Sequence, residues 1–411
     1  MPKSSLNGAN QPRTALYVTL TALALGACAR SEAPPVQVVT QDSNGVAITP
    51  VPASLAQHTA QWQTSPRPIL TLGEPLPGSP SQYYRISGVR LLPGGRVMFS
   101  TDASKQLLTV DSTGATVEAR GRMGRGPFEF QHLQMLKSAD TSVVALFDAL
   151  QRQVTVLPID AFEPTAISLA ALGVGATVPL ARFADGSLLA RREGQFPAPA
   201  EEGVVRGVDT LVRMDTAGRI VARYGAHPAD ERVLRLNASG GLTGGRPPYR
   251  RQLLADADDS TVVVAASGRW ELWLYPVDGG TPRQVRLDLP RRAVNAAMRR
   301  QYRERVLRDV RDEYGKREWT MLSGDDVFPR ELPAFDQLLI DRDGAIWVRE
   351  TVTLADTEAQ WIVLDRSGLP LARVRLPASF TAFDVHHDRI AGVWVDSLGG
   401  EQVQVWALTR R

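Results

Sequence analysis

Leu338-Leu339-Ile340-Asp341-Arg342-Asp343-Gly344-Ala345-Ile346-Trp347-Val348-Arg349 reads as a strand, a tight turn and a returning strand. Asp343-Gly344 supplies the positive φ that a tight hairpin needs. The residues on either side are rich in β-branched and aromatic side chains, which suit a pleated surface. A polar loop then leads to another alternating strand, Trp361–Leu364. Asp365-Arg366-Ser367-Gly368 turns the chain, and Pro370–Val374 runs back. An aspartate at the head of such a turn bonds its own backbone. The segment therefore outlines one four-stranded antiparallel sheet.

The same order of events recurs. One copy runs Ile86–Leu92, Pro93-Gly94-Gly95, Val97–Ser100, Leu107–Val110, Asp111-Ser112-Thr113-Gly114, Thr116–Ala119. Another runs Leu180–Phe183, Asp185-Gly186, Leu188–Ala190, Leu211–Met214, Asp215-Thr216-Ala217-Gly218, Ile220–Arg223. Weaker copies lie at Leu133–Leu157, Gln252–Leu287 and Ala382–Leu408. A chain with 34 glycines and 28 prolines has turn residues enough for this pattern. The units are roughly 40–60 residues long, and a lone sheet of that size cannot bury both its faces. The expected fold is all-β: a six-bladed β-propeller over residues 61–411, its units stacked radially. Pro68–Leu72 precedes the first unit and is expected to join the last one as an outer strand. That closure protects the edges a free sheet exposes.

One insertion breaks the pattern, at about residues 290–316. Val294, Met298, Tyr302, Val306, Val310 and Tyr314 recur at i+4 and predict a single helix with one apolar stripe. Pro290 suits its start and Gly315 its end. Arg291, Arg292, Arg299, Arg300, Arg303, Arg305, Arg308 and Arg311 occupy its other faces.

The amino terminus gives an address. Lys3 and Arg13 precede an apolar run, Thr14–Leu25, which closes on Leu25-Gly26-Ala27-Cys28. A basic segment, a short apolar segment and small residues form a secretory signal, 1–27. The run is shorter than the roughly 20 residues a resident membrane helix needs. Leu25, Gly26, Ala27 and Cys28 resemble the lipobox of bacterial lipoproteins. The resemblance implies cleavage before Cys28 and its lipidation, with Ala29 after it implying the outer membrane, facing the periplasm or the cell surface. More than one acyl chain is needed for stable attachment, and the lipoprotein pathway supplies them. Residues 28–60 carry Ala33-Pro34-Pro35 and Pro50-Val51-Pro52-Ala53-Ser54 and are expected to form a flexible tether.

Gly121-Arg122-Met123-Gly124-Arg125-Gly126-Pro127-Phe128-Glu129-Phe130 resembles a segment of the bacterial six-bladed β-propeller lipoproteins, relatives of the NHL-type propellers. Leu332-Pro333-Ala334-Phe335-Asp336 leading into Asp341–Val348 resembles the same family. The likeness spans residues 62–408. Phe128 stands where that family usually has glycine, and only glycine enters positive φ at low cost.

Composition excludes several classes. The formal charge of +3 falls to about +1 once Lys3 and Arg13 leave with the signal. That gives no basic stripe for nucleic acid. Cys28 is the sole cysteine, so an exported domain would hold no internal disulfide. No His-x-x-x-His or cysteine cluster marks a zinc site, and no Gly-x-Ser-x-Gly marks a serine nucleophile. His386 and His387 are adjacent on a predicted strand, where neighbours point to opposite faces. No cofactor and no catalytic residue are expected.

Candidate ligand-binding residues lie near the starts of inner strands: Arg125, Glu129, Arg251 and Asp336, with Gln131, Arg250 and Gln337 beside them. The expected role is a monomeric, membrane-anchored binding scaffold for a carbohydrate, a peptide or an envelope protein. Two rivals are a lactonase- or lyase-type enzyme, with Glu129, Asp336 and Asp384 converging on a metal, and a structural envelope component.

Overall fold

The computed structural model describes residues 39–43, 45–73, 83–161, 163–169, 177–194, 202–236, 240–308, 310 and 312–410. Leu25, Gly26, Ala27 and Cys28 lie outside these residues with the rest of the signal segment. Strands dominate the described chain and helices are few.

The aspartate turns form as the sequence predicts. Asp365 Oδ1 accepts hydrogen bonds from Ser367 N at 2.8 Å and Leu369 N at 2.9 Å. Asp111 and Asp215 close their turns in the same way. Gly114, Gly218, Gly344 and Gly368 take φ between +84° and +89°.

Between the turns the strands form antiparallel meanders. The first is Ile86–Leu91, Val97–Thr101, Gln106–Val110 and Thr116–Arg120. The second is Gln134–Ser138, Val143–Asp148, Gln153–Pro158 and Thr165–Ser168. The third is Thr177–Arg182, Leu188–Arg192, Gly203–Met214 and Ile220–Leu236. The fourth is Leu253–Ala257, Thr261–Ala266, Glu271–Pro276 and Arg283–Leu287. The fifth is Phe335–Ile340, Ile346–Glu350, Glu358–Leu364 and Pro370–Pro377. The last has Phe380–His386, Arg389–Val395 and Glu401–Thr409, and Leu70–Leu72 pairs antiparallel with its final strand. The predicted N-terminal outer strand is therefore present.

Successive side chains on a strand face opposite ways, so each meander can pack on both faces. Val262 and Val264 pack with Leu189 and Leu211 of the third meander. Their neighbours Val263 and Ala265 pack with Ile346 and Val348 of the fifth. In the second, Val144 and Leu146 meet Met98 and Leu107 of the first. Ala145 and Phe147 meet Leu188 and Ala190 of the third. Trp347 and Trp361 of the fifth join Ile390 of the last. Ala391 and Val393 of the last then join Val97 and Phe99 of the first. The apolar runs in the sequence are thus strands buried on both sides, and the last meander packs on the first.

The structure corrects the expected tether. Val46–Val51 adds a parallel strand beside Arg283–Leu287, and Val51 is 1% exposed. A short helix, α1 (Ala53–Gln57), follows and buries Ala56. Ala60–Gln61 then pairs with Ala372 and Arg373. Residues 46–61 belong to the fold because Val46, Ile48 and Val51 supply a β-branched strand to an open sheet edge.

The insertion also differs. It holds two helices, α2 (Ala296–Arg308) and α3 (Glu313–Leu322). Asn295, rather than Pro290, caps α2 by accepting a hydrogen bond from Met298 N at 3.0 Å. Asp312 caps α3 through Gly315 N at 2.7 Å. Gly315 is therefore in the first turn of a helix and not at the end of one. Met298 and Tyr302 pack on Val294, Phe328 and Leu332, so the first half of the predicted stripe does face the protein. Arg299 and Arg303 reach Asp325 across the following turn.

The third meander is longer than its sequence copy suggests. Its hairpin Gly203–Met214/Ile220–Leu236 runs well past Leu188–Arg192, which pairs with it over Thr210–Met214, and Leu242–Gly245 pairs with Val233–Leu236 farther along. Val233, at the end of the hairpin far from its turn, packs on Leu322 of α3 and on Val327.

Candidate functional site

Arg125 and Glu129 come together in one loop. Glu129 Oε2 accepts the backbone N–H groups of Gly126 at 2.8 Å and Arg125 at 3.0 Å. Its Oε1 accepts from Arg122 Nε at 2.8 Å. The Gly126 hydrogen bond and the Arg122 guanidinium hold this carboxyl below its usual range. A side chain at Gly124 would collide with the same carboxylate. Phe128 takes φ of +56° without being glycine, and its ring is buried edge-on against Phe130, with centroids 5.2 Å apart. Buried aromatic area offsets a backbone strain of order 1–2 kcal/mol.

The other candidates have separate partners. Asp336 Oδ1 accepts from Arg349 Nε at 2.6 Å, and Oδ2 accepts from Val352 N at 3.1 Å. Burial raises its pKa. Gln337 donates to the Ala382 carbonyl. Gln131 N donates to Asp148 at 2.6 Å. Arg251 pairs with Glu231 at 2.6 Å, and Arg250 lies 3.6 Å from Asp230. Glu129, Asp336 and Asp384 thus satisfy different groups and do not share one centre. Among the described residues, no cluster of three or more His, Cys, Asp and Glu is placed to hold a metal ion. His386 and His387 differ from expectation: their rings lie 3.8 Å apart. His387 has φ of +50° and sits in the turn beyond Phe380–His386, so strand alternation does not govern it.

A belt of polar contacts at the ends of the meanders' first strands was not foreseen. Arg90 of the first meander donates to the Val143 and Asp140 carbonyls beside the second. Burial and nearby Arg342 push its pKa down to about 10. Asp140 lies 3.5 Å from Arg182 of the third. Ala184 N donates to Asp259 of the fourth at 2.9 Å. Asp256 accepts from Ile340 N of the fifth at 2.7 Å. Arg342 pairs with Asp384 of the last. Asp384 accepts from Leu91 N of the first at 2.8 Å. Lys137 crosses the belt from the second meander, with Nζ 2.6 Å from both Asp256 Oδ2 and the Ile340 carbonyl. A small cavity of about 100 Å³ beside it is lined by Arg90, Lys137, Arg342 and Asp384.

A larger cleft of about 270 Å³ opens where the long hairpin passes the fourth meander. Arg206, His227 and Pro228 of the hairpin line it together with Arg251, Glu271 and Trp273. Among the described residues, the hydrogen-bond partners of the Arg206 guanidinium are carbonyls, those of Ala229 and Pro228. Burial, offset in part by Glu231, and the like charge of Arg251 lower its pKa. His227 Nε2 lies 2.8 Å from the Tyr224 carbonyl and 3.2 Å from Tyr275 Oη. Burial lowers its pKa and favours the neutral ring. Trp273 stacks on Tyr275 with an interplanar angle of 21°. Glu271 lies 3.6 Å from Arg286 and 3.8 Å from Arg269. Sequence alone hides this cleft, since it needs the hairpin's full length.

Neither a family model nor a curated protein matches the chain. Solved structures give distant likenesses. A member of the DUF4221 family from Bacteroides vulgatus is 10% identical, over 86% of this chain and 100% of its own, with a TM-score of 0.47. A protein of Bacteroides fragilis described as exported is 11% identical, over 89% and 99%, at 0.44. The calcium-binding protein regucalcin from Agrobacterium tumefaciens is 10% identical, over 85% and 96%, at 0.42. No helix among the described residues is long and apolar enough to cross a membrane.

Proposed function

We propose that the meanders are the blades of a six-bladed β-propeller, tethered by lipid on Cys28, that serves as a binding scaffold outside the cytoplasmic membrane. The face-to-face packing of each meander on the next, and of the last on the first, supports the ring. Leu70–Leu72 on Val403–Val405 supports its closure by both ends of the chain. The signal-like segment and the lipobox-like Leu25-Gly26-Ala27-Cys28 support the anchor.

The observation that carries the binding role is the cleft of Arg206, Arg251 and Trp273. It is concave, has one broad aromatic surface and a few converging polar groups, which is the usual make-up of a small-ligand site. Ligands of the expected classes are carbohydrates, peptides and envelope proteins. Two assays test the reading. Cell fractionation of the wild type and Cys28→Ala reads the anchor: the wild type is expected with membranes and the variant in the soluble fraction. Equal partition refutes the anchor. Probing the purified protein against arrayed glycans, peptides and envelope proteins reads the role. Failure to bind any of them refutes the scaffold.

A further inference from the structure

We propose that the cleft between the long hairpin and the fourth meander binds an acidic sugar, a hexuronate unit of a polysaccharide. The inference deepens the binding role above and rests on it. Arg206 provides the first reason. Its N–H groups are held by carbonyls, with no carboxylate among those partners, while Glu231 lies near enough to offset its charge in part. Arg251 lines the same cleft and adds a second cation, its own charge shared with Glu231 of the hairpin. Two positive groups lining one half-enclosed space favour an anion there. A guanidinium's planar fork matches a carboxylate in particular.

The second reason is the aromatic lining of the cleft. Trp273 is half-buried, and its place is fixed by Tyr275 and by His227, edge-on at 6.2 Å. A pyranose ring has an apolar C–H face that such an indole can cover. Its hydroxyl groups need acceptors, and the Glu271 carboxylate lines the same cleft. A space of about 270 Å³ is near the lower limit for small-molecule sites, so it suits one ring with its neighbours in solvent. A peptide carboxylate is the competing anion. Capture of a chain terminus relies on a nest of backbone N–H groups, whereas the cations here are side chains.

Calorimetric titration of the full chain in detergent micelles, with trigalacturonate and with its methyl ester, tests the proposal. The acid is expected to bind, and the neutral ester about tenfold more weakly or worse. Arg206→Gln is expected to abolish that preference, and Trp273→Leu to weaken both ligands alike. Arg206 also braces the hairpin, so far-UV circular dichroism and a melting curve accompany each variant. Trp273→Leu keeps the proposal testable if Arg206→Gln unfolds. Equal affinity for acid and ester overturns the proposal, as does unchanged binding in Trp273→Leu. Binding of a peptide or protein that ignores both substitutions overturns the acidic-sugar site and leaves the scaffold standing. Binding of nothing removes both.

Discussion

Asp384→Ala removes the residue that ties the last meander to the first and the fifth. Its carboxylate accepts from Leu91 N at 2.8 Å and pairs with Arg342 through both oxygens. The side chains of Arg342 and Asp384 are 19% and 13% exposed, so solvent does little to replace the lost partner. Breaking a buried ion pair from one side costs about 3–5 kcal/mol, because the other charge stays buried. The freed Leu91 N–H adds about 1 kcal/mol or more. Arg342 keeps its bond to the Leu91 carbonyl at 2.6 Å, which argues for the low end of the sum. The expected loss is about 4 kcal/mol, several hundredfold in the folding constant. Urea unfolding followed by tryptophan fluorescence and by far-UV circular dichroism measures it as a fall in midpoint. Arg342→Met with Asp384→Leu should recover much of the loss, since an apolar pair leaves no orphan charge. A loss below about 1 kcal/mol for Asp384→Ala refutes the reasoning, because exposed pairs cost that little.

Two further predictions follow from strained and buried groups. Phe128→Gly removes a positive-φ penalty of order 1–2 kcal/mol and a buried ring whose loss costs about 3–5 kcal/mol; the balance predicts a net loss of about 2 kcal/mol, and a gain in thermal stability contradicts it. His227 is neutral in the fold because burial lowers its pKa. The unfolded chain binds its proton near pH 6.5, so this contribution is complete above that value and is lost as pH falls toward the folded pKa. Stability should drop as pH falls below about 6.5, and His227→Gln should flatten that slope; an unchanged slope refutes the assignment.

The repeat was legible because its signals are local. Asp365 with Gly368, and Asp111 with Gly114, fix turns within a few residues, and both form. The length of the third hairpin was not legible. Alternation continues past Tyr224, but the inward positions hold His227 and Glu231, which read as surface residues. Pro50 and Pro52 disguised Val46–Val51 as linker, although its β-branched residues signalled a strand. An i+4 stripe cannot show a break between helices, and Asn295 and Asp312 were the signals that could have. Of the site, Arg251 was foreseen. Arg206, Trp273 and the Lys137 belt were not, because only the packing of one sheet against another brings Arg206 to Arg251 or Lys137 to Asp256.

Closure of the ring is open to one direct measurement. Thr71 and Gln404 stand opposite each other on paired strands, at the separation a disulfide spans. With Cys28 replaced, the chain has no other thiol. Thr71→Cys with Gln404→Cys should then oxidise within the monomer, giving a band that migrates faster without reductant and a higher melting temperature. Thiols that stay free, or that join only between molecules, would contradict closure of the propeller by its two ends.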